Sequence, residues 1–243
     1  VSYAVNAGWG GVENLSLIPG CVGAVPVQNI GAYGREAGEV IDSVRGVDLV
    51  TGEIWELSGA ECWFGYRSSI FKQELAGRFV VTSVVFRLDK HPRLQLTYGE
   101  LASLAGYDRL PSLAEVRETV IAVRWKKLPD PAVLGNAGSY FKNPVVQEEW
   151  AARMKGLWPQ MPLYPAVEGH AKLSAGWLID QCGWKGFRRG DAGVHEHHAL
   201  VLVNHGHATG REIFDLSQEI RFSVKEKFGI DLEREVQAVG RMD

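Results

Sequence analysis

Leu17-Ile-Pro-Gly-Cys-Val-Gly-Ala-Val-Pro-Val-Gln-Asn-Ile-Gly-Ala-Tyr-Gly34 is the stretch on which the fold turns. It has neither the 3.6-residue period of a helix nor the alternation of a strand. Glycine and proline punctuate it, and apolar side chains fill the gaps. It therefore reads as an ordered loop. An apolar loop of this length inside a compact domain is uncommon, and such loops are usually functional. Upstream, residues 1–7 read as the last turns of a helix, closed by Gly8-Trp9-Gly10-Gly11.

Downstream the pattern changes. Residues 41–50 and 53–57 flank Thr51-Gly52, which predicts a β-hairpin. Residues 78–88, Arg-Phe-Val-Val-Thr-Ser-Val-Val-Phe-Arg-Leu, predict a β-branched strand. Between them lies the mixed aromatic and polar run Phe64-Gly-Tyr-Arg-Ser-Ser-Ile-Phe71. Near residue 110 the chain turns from strand-rich to helix-rich. Ser112-Leu-Ala-Glu115 is a capping box opening a helix to about Lys127, and Leu128-Pro-Asp-Pro131 stops it. Further helices are expected over 147–157 and 174–182, and a strand over 194–203. Thr209-Gly-Arg-Glu212 opens the longest helix, with Ile213, Leu216, Ile220, Val224 and Phe228 on one face and Gly229 as its cap. A last strand is expected over 235–239. The fold class is α+β.

Composition bounds the function. A length of 243 residues allows one large domain or two modest ones. Hydrophobic residues at 46% and charged residues at 23% exclude global disorder. The 28 glycines, without a repeat period, suggest many turns and close backbone approaches. A net charge of -3 gives no footprint for nucleic acid or an anionic membrane. No apolar run approaches the roughly 18 residues of a membrane span, and no signal peptide is visible. Cys21, Cys62 and Cys182 are odd in number and far apart. They fit reduced thiols in a cytosol, and each is read as a buried small hydrophobe. His195-Glu-His-His198 invites a metal reading, with 195 and 197 on one strand face. No third ligand cluster accompanies it, so no metal is expected. A G-x-S-x-G is absent, which disfavours a hydrolase triad.

Six segments in order resemble one family. They are Leu17-Ile-Pro-Gly-Cys-Val-Gly23, Gln28-Asn-Ile-Gly-Ala-Tyr-Gly34, Phe64-Gly-Tyr-Arg-x-Ser-x-Phe71, Lys127-Leu-Pro-Asp-Pro131, Gly135-Asn-Ala-Gly-Ser-x-Phe-Lys-Asn-Pro144 and Ala175-Gly-Trp-Leu-Ile-Asp180. Together they look like UDP-N-acetylenolpyruvoylglucosamine reductase, the flavoenzyme family also called UDP-N-acetylmuramate dehydrogenase. Leu96-Thr-Tyr-Gly99 further resembles the subgroup with a tyrosine loop over the substrate. The resemblance implies a flavin-binding α+β domain of the vanillyl-alcohol-oxidase type plus a smaller α+β substrate-binding domain. The first would span 1–110 and 230–243, and the second 111–229. The tail strand would pair back with the first domain. Family members carry a further N-terminal stretch with a glycine-rich loop, to which nothing here corresponds. The chain opens Val1-Ser2-Tyr3, so it is expected to be the family without that stretch.

The implied reaction reduces a vinyl ether in peptidoglycan precursor synthesis, with FAD as cofactor and NADPH as reductant. It needs charge stabilisation on a carboxylate and developing enol, a proton donor at the α-carbon, and a rigid flavin seat. By similarity Arg67 and Glu235 form the electrostatic pair, and Ser139 is the proton donor. The family pattern around the glutamate is Leu-x-Pro-Glu-Val, whereas this chain has Leu232-Glu-Arg-Glu-Val236. Pro19, Gly20, Gly23, Asn29, Ile30, Gly31, Ala32 and Tyr33 would wrap the flavin, with Arg124 near its ring. Glycine-rich backbone can cradle a diphosphate without side-chain charge. Tyr98, Lys127, Asn143, Tyr164, Lys172, Lys185 and His198 would bind the UDP-sugar. Relatives often have Gln where His198 stands. The resemblance further implies a cytoplasmic monomer serving cell wall biogenesis, cell shape and division. Two other readings stay open: a UDP-sugar-binding fragment that cannot hold FAD, and a related flavin oxidase of another substrate.

Overall fold

The structure, a computed structural model, describes residues 1–106 and 109–240. It divides into two compact units, 1–124 and 125–243. Tyr107, Asp108 and residues 241–243, which the expected domain spans include, lie outside the described residues.

The first unit opens on the short helix α1 (Ser2–Asn6), where Gly8 turns the chain with φ 76°. The loop 17–34 follows. Its second half folds into a minimal ribbon, β1 (Gly31–Ala32) against β2 (Arg35–Glu36). Tyr33 and Gly34 form the two-residue turn, with φ of 49° and 80°. Positive φ at both turn positions matches the twist of the flanking strands. The main sheet has the order β4-β3-β5, all antiparallel, from β3 (Ile41–Asp48), β4 (Ile54–Ser58) and β5 (Phe79–Phe86). The hairpin at Thr51-Gly52 and the strand after Arg78 stand as predicted. The inner face of β3, with Ile41 and Val44, packs with Leu15, Ala37, Cys62 and Phe71. Helix α2 (Leu113–Lys127) starts at the expected capping box: Ser112 Oγ donates to Glu115 at 2.9 Å, and Glu115 N donates back to Ser112 Oγ at 3.2 Å. Val116 and Val120 of α2 bury against Leu96, Leu101 and Leu104. The boundary between the units thus falls in the last turn of α2, not near residue 110. That helix has its apolar partners in the first unit.

The second unit carries two sheets. One has the order β10-β11-β12-β6, from β6 (Gly135–Ser139), β10 (Arg188–Arg189), β11 (Ala192–Val194) and β12 (Val201–Asn204). The other has the order β7-β9-β8, from β7 (Val145–Gln147), β8 (Leu163–Pro165) and β9 (His170–Leu173). Helices α3 (Glu148–Leu157), α4 (Ala175–Gln181) and α5 (Gly210–Phe228) follow the predicted spans. Leu216, Ile220, Val224 and Phe228 bury in one core with Phe141, Leu178 and Ile179. Each such side chain contributes about 1.5–3 kcal/mol of apolar transfer.

Several expectations need correction. The strand over 194–203 is an antiparallel hairpin, β11 and β12, whose turn contains the histidines; His195 N donates to Val201 O at 2.9 Å. His195 and His197 therefore lie in a loop and share no strand face. Gly135-Asn-Ala-Gly-Ser139, whose composition suits a turn, is an edge strand paired with β12. No strand forms over 235–239. The tail makes one isolated bridge, Arg234 to Phe141, and Ile230 and Leu232 bury in the second unit's core. The described contacts of residues 230–234 lie within the second unit. Cys21 is exposed, Cys62 buried and Cys182 half-buried, so the buried-hydrophobe reading fails for Cys21. Burial pushes the Cys62 thiol up to about 11. Among the described residues no helix is long and apolar enough to cross a membrane.

Candidate active site

Among the described residues, five other than glycine take left-handed backbone: Leu17, Asn29, Tyr33, Trp63 and Arg67, with φ between 46° and 61°. That conformation costs a side-chain-bearing residue about 1–2 kcal/mol. Three of the five lie in loop 17–34 and a fourth is Arg67. Strain of this kind persists only where surrounding contacts over-determine it.

Those contacts are present. Asn29 is 2% exposed. Its Nδ2 donates to Glu36 Oε2 at 2.8 Å and to Gly65 O at 3.1 Å, and its Oδ1 accepts from Gly38 N at 2.7 Å. Arg67 stands in a tight turn in which Gly65 and Ser68 exchange backbone hydrogen bonds at 3.1 Å. Its Nη2 donates to Gly31 O at 2.7 Å. Buried Ser69 donates to Val27 O at 2.6 Å. The turn that presents Arg67 is thereby sewn to the loop at Val27, Asn29 and Gly31. Gly31 is needed for its closeness: a Cβ there would meet Arg35 O at 2.9 Å and Arg67 Nη1 at 3.0 Å.

Tyr33 joins the loop to two further residues. Its ring meets Tyr98 edge to face, with centroids 6.1 Å apart. Buried Asn14 donates to both Tyr33 O and Gln95 O at 2.9 Å, which ties the tyrosine segment to the loop. Burial raises the Tyr33 hydroxyl pKa, and the Arg124 charge opposes the rise. Arg124 is half-buried, burial lowers its pKa, and among the described residues its Nε has no hydrogen-bond partner. A desolvated guanidinium with an unused donor is costly unless a ligand takes it. Pro19 and Gly20 are exposed beside exposed Leu17 and Val22, while Gly23, Ile30 and Ala32 are half-buried. An open glycine-bearing backbone and the unused donor of Arg124 fit a flavin dinucleotide, an anionic diphosphate joined to a flat polar ring.

In the second unit Ser139 ends β6, paired with Val201 of β12. The next residue carries the link to the tail: Tyr140 N donates to Leu200 O at 2.7 Å, and Tyr140 O accepts Glu235 N at 2.8 Å. Glu235 therefore stands opposite Tyr140, one residue along from Ser139. Glu233 instead pairs with Lys142, Nζ to Oε1 at 2.5 Å. Asn143 Oδ1 accepts Ala175 N at 2.9 Å at the start of α4. Burial foremost, then the charges of His195, Lys127 and Lys185, push the His198 pKa down. These charges all act on His198, and among the described residues its Nδ1 is buried without a hydrogen-bond partner. Lys185 pairs loosely with Asp180 at 3.3 Å. Tyr164 and Lys172 are cross-strand partners in the other sheet, apart from the Ser139 strand. His195 and His197 rings lie 5.6 Å apart, and among the described residues no three His, Cys, Asp or Glu gather to hold a metal ion.

Sequence reasoning passed over buried Asn14 and half-buried Glu36, the partners that hold Tyr33 and Asn29. Neither stands in a motif, and only their contacts across the fold reveal them.

The α+β build, together with a match of residues 1–58 to the FAD binding domain family, defines a class: an FAD-linked oxidoreductase. Residues 1–58 match the FAD binding domain family, and residues 130–239 match the UDP-N-acetylenolpyruvoylglucosamine reductase C-terminal domain family. The chain is 56% identical over 239 residues to UDP-N-acetylenolpyruvoylglucosamine reductase of Chromobacterium violaceum, covering 97% of this chain and 70% of that protein. The namesake of Neisseria meningitidis serogroup A is 52% identical, and that of Amoebophilus asiaticus 44%, over 69% and 71% of their lengths. The crystal structure of the Thermus caldophilus reductase superposes with a TM-score of 0.66 at 26% identity, covering 97% of this chain and 66% of that one. The chain belongs to the UDP-N-acetylenolpyruvoylglucosamine reductase family.

Proposed function

We propose that this protein is the FAD-dependent reductase that converts UDP-N-acetylglucosamine enolpyruvate to UDP-N-acetylmuramate at the expense of NADPH. The observation that carries the reading is the family membership together with the Asn29–Gly31–Arg67 assembly, where strained backbone and a cation meet a glycine-rich loop. Bound FAD, reduced by NADPH, supplies the hydride for the β-carbon of the enolpyruvyl group.

This chain's residues do the rest. Arg67 binds the substrate carboxylate, since its fork can hold two oxygens and it never deprotonates. Its anchor on Gly31 O fixes that fork before substrate arrives, so no reorganisation is needed as charge develops. Ser139 gives its hydroxyl proton to the α-carbon. A serine hydroxyl is a weak acid, so the role depends on pre-organisation, which the strand pairing of β6 supports. Glu235 hydrogen-bonds the enol region. Pro19, Gly20, Gly23, Asn29, Ile30, Gly31, Ala32, Tyr33 and Arg124 hold the flavin. Lys127, Lys185 and His198 take the UDP diphosphate, an assignment supported by the action of both lysine charges on His198. Tyr98, Asn143, Tyr164 and Lys172 complete the substrate contacts. The first unit serves the flavin and the second the UDP-sugar. The protein works as a cytoplasmic monomer in peptidoglycan synthesis, and through it in cell shape and division.

The test is direct. Purified protein should show a flavin absorbance band and, under anaerobic conditions, oxidise more than one equivalent of NADPH only when the enolpyruvyl UDP-sugar is added. A colourless protein that binds the UDP-sugar by calorimetry would leave a binding function alone. A flavoprotein with no UDP-sugar binding would shift the activity to another substrate.

A further inference from the structure

The tail around Glu235 is held from two sides. On one side its backbone zips onto the strand end: Lys142 N donates to Glu233 O at 2.9 Å, and Glu235 N donates to Tyr140 O at 2.8 Å. These two bonds bracket the isolated bridge between Phe141 and Arg234. The ladder thus uses the groups of 233 and 235 and leaves the N–H of residue 234 outside it. What holds residue 234 is its side chain, on the other side. The Arg234 guanidinium lies over the Phe214 ring at 4.2 Å, and its Nε donates to Ser217 Oγ at 2.9 Å. Ser217 is fully buried, and its own proton goes to Phe214 O at 2.6 Å. Its oxygen is therefore fixed as an acceptor aimed at Arg234. Both partners belong to α5, the longest helix of the unit, and Ser217 lies on its buried side with the core residues Ile220 and Val224.

We propose that Arg234 is the positioning residue for Glu235: by clamping on Phe214 and Ser217 of α5 it fixes the backbone that presents the adjacent carboxylate beside the Ser139 strand. The proposal rests on the assignment of Glu235 made above. Stacking and a charge-assisted hydrogen bond together restrict the guanidinium plane, a geometry that lysine cannot copy.

The experiment uses the holoenzyme, with Arg234→Ala, Arg234→Lys, Arg234→Pro and Glu235→Gln prepared in parallel. Two readouts are taken: amide exchange at Lys142 and Glu235, and the separate kcat and KM values. Loss of the clamp should speed exchange at both amides roughly tenfold in Arg234→Ala, the equivalent of one such bond. A displacement of the carboxylate by about 1 Å should lower kcat by tenfold to about a hundredfold, with KM for NADPH unchanged. Arg234→Lys should behave like Arg234→Ala. Arg234→Pro fixes φ and removes an N–H that the ladder does not use, so it should restore most of both readouts. Unchanged exchange in Arg234→Ala overturns the proposal. So does wild-type kcat in Arg234→Ala alongside an impaired Glu235→Gln. A kcat defect that Arg234→Lys rescues and Arg234→Pro does not would assign the effect to charge and overturn it too. Wild-type turnover in Glu235→Gln brings down the assignment of Glu235 itself, and the positioning role with it.

Discussion

Asn29→Ala should remove the clasp on which the flavin loop depends. Asn29 is 2% exposed with φ of 46°, and it makes three hydrogen bonds. The two with backbone partners, Gly65 O and Gly38 N, contribute about 1 kcal/mol each, and the one to the Glu36 carboxylate about 1.5–3 kcal/mol. Alanine also bears the left-handed backbone penalty of about 1–2 kcal/mol, which asparagine tolerates better. The loss should come to about 5 kcal/mol, a large fraction of a domain stability of roughly 5–15 kcal/mol. Asn29→Gly keeps the lost hydrogen bonds lost but removes the backbone penalty, so it should recover about 1 kcal/mol relative to alanine. Asn29→Asp keeps the acceptor for Gly38 N and puts a second carboxylate against Glu36 at the 2.8 Å contact. It should fall between wild type and alanine at low pH and drop below that range at neutral pH. Urea denaturation followed by circular dichroism measures all three. A loss under about 1.5 kcal/mol for Asn29→Ala, or no difference between alanine and glycine, would refute the claim that strain at Asn29 is held by these bonds.

Gly31→Ala should crowd Arg35 O at 2.9 Å and the Arg67 guanidinium at 3.0 Å. It should cost about 1–3 kcal/mol in thermal unfolding and lower kcat more than it changes KM, because Arg67 is pushed. His198 has a folded pKa below its unfolded value of 6.5, so its neutral form is favoured on folding. Stability from that term is complete above about pH 6.5 and is lost as pH falls toward the folded pKa. His198→Gln should therefore flatten the stability profile between pH 7.5 and pH 5.5, as read from melting temperatures across that range. Lys127→Ala combined with Lys185→Ala should raise KM for the UDP-sugar about tenfold or more while leaving flavin reduction by NADPH at its wild-type rate.

Much of the frame is legible in the residues. The Thr51-Gly52 hairpin, the Ser112 and Thr209 caps, and the apolar stripe of α5 each declare themselves through local chemistry. Loop 17–34 declares itself through its glycines and prolines, although its three left-handed positions at Leu17, Asn29 and Tyr33 carry no such signal. The misreadings share a cause. Gly135-Asn-Ala-Gly-Ser139 has turn composition, yet it is a strand because β12 offers it an edge. Residues 195–200 have strand-like composition at their end, yet the chain must reverse there for β12 to pair with β11. The tail at 235–239 has alternating apolar residues but only one bridge to pair with. Pairing partners distant in sequence decide all three. The candidate site was legible as a list of residues through family motifs. Its supports, Asn14, Glu36 and Arg234, were not, because they act through contacts with residues far along the chain.

The decisive experiment follows reoxidation of the flavin. Holoenzyme reduced anaerobically with one equivalent of NADPH is mixed with UDP-N-acetylglucosamine enolpyruvate, and the oxidised-flavin absorbance band is followed. The wild type should regain the band in step with formation of UDP-N-acetylmuramate. Ser139→Ala should accept electrons from NADPH at the normal rate but fail to form product. A wild-type protein whose flavin stays reduced in the presence of the UDP-sugar, or a Ser139→Ala variant that forms product at the wild-type rate, would contradict the account.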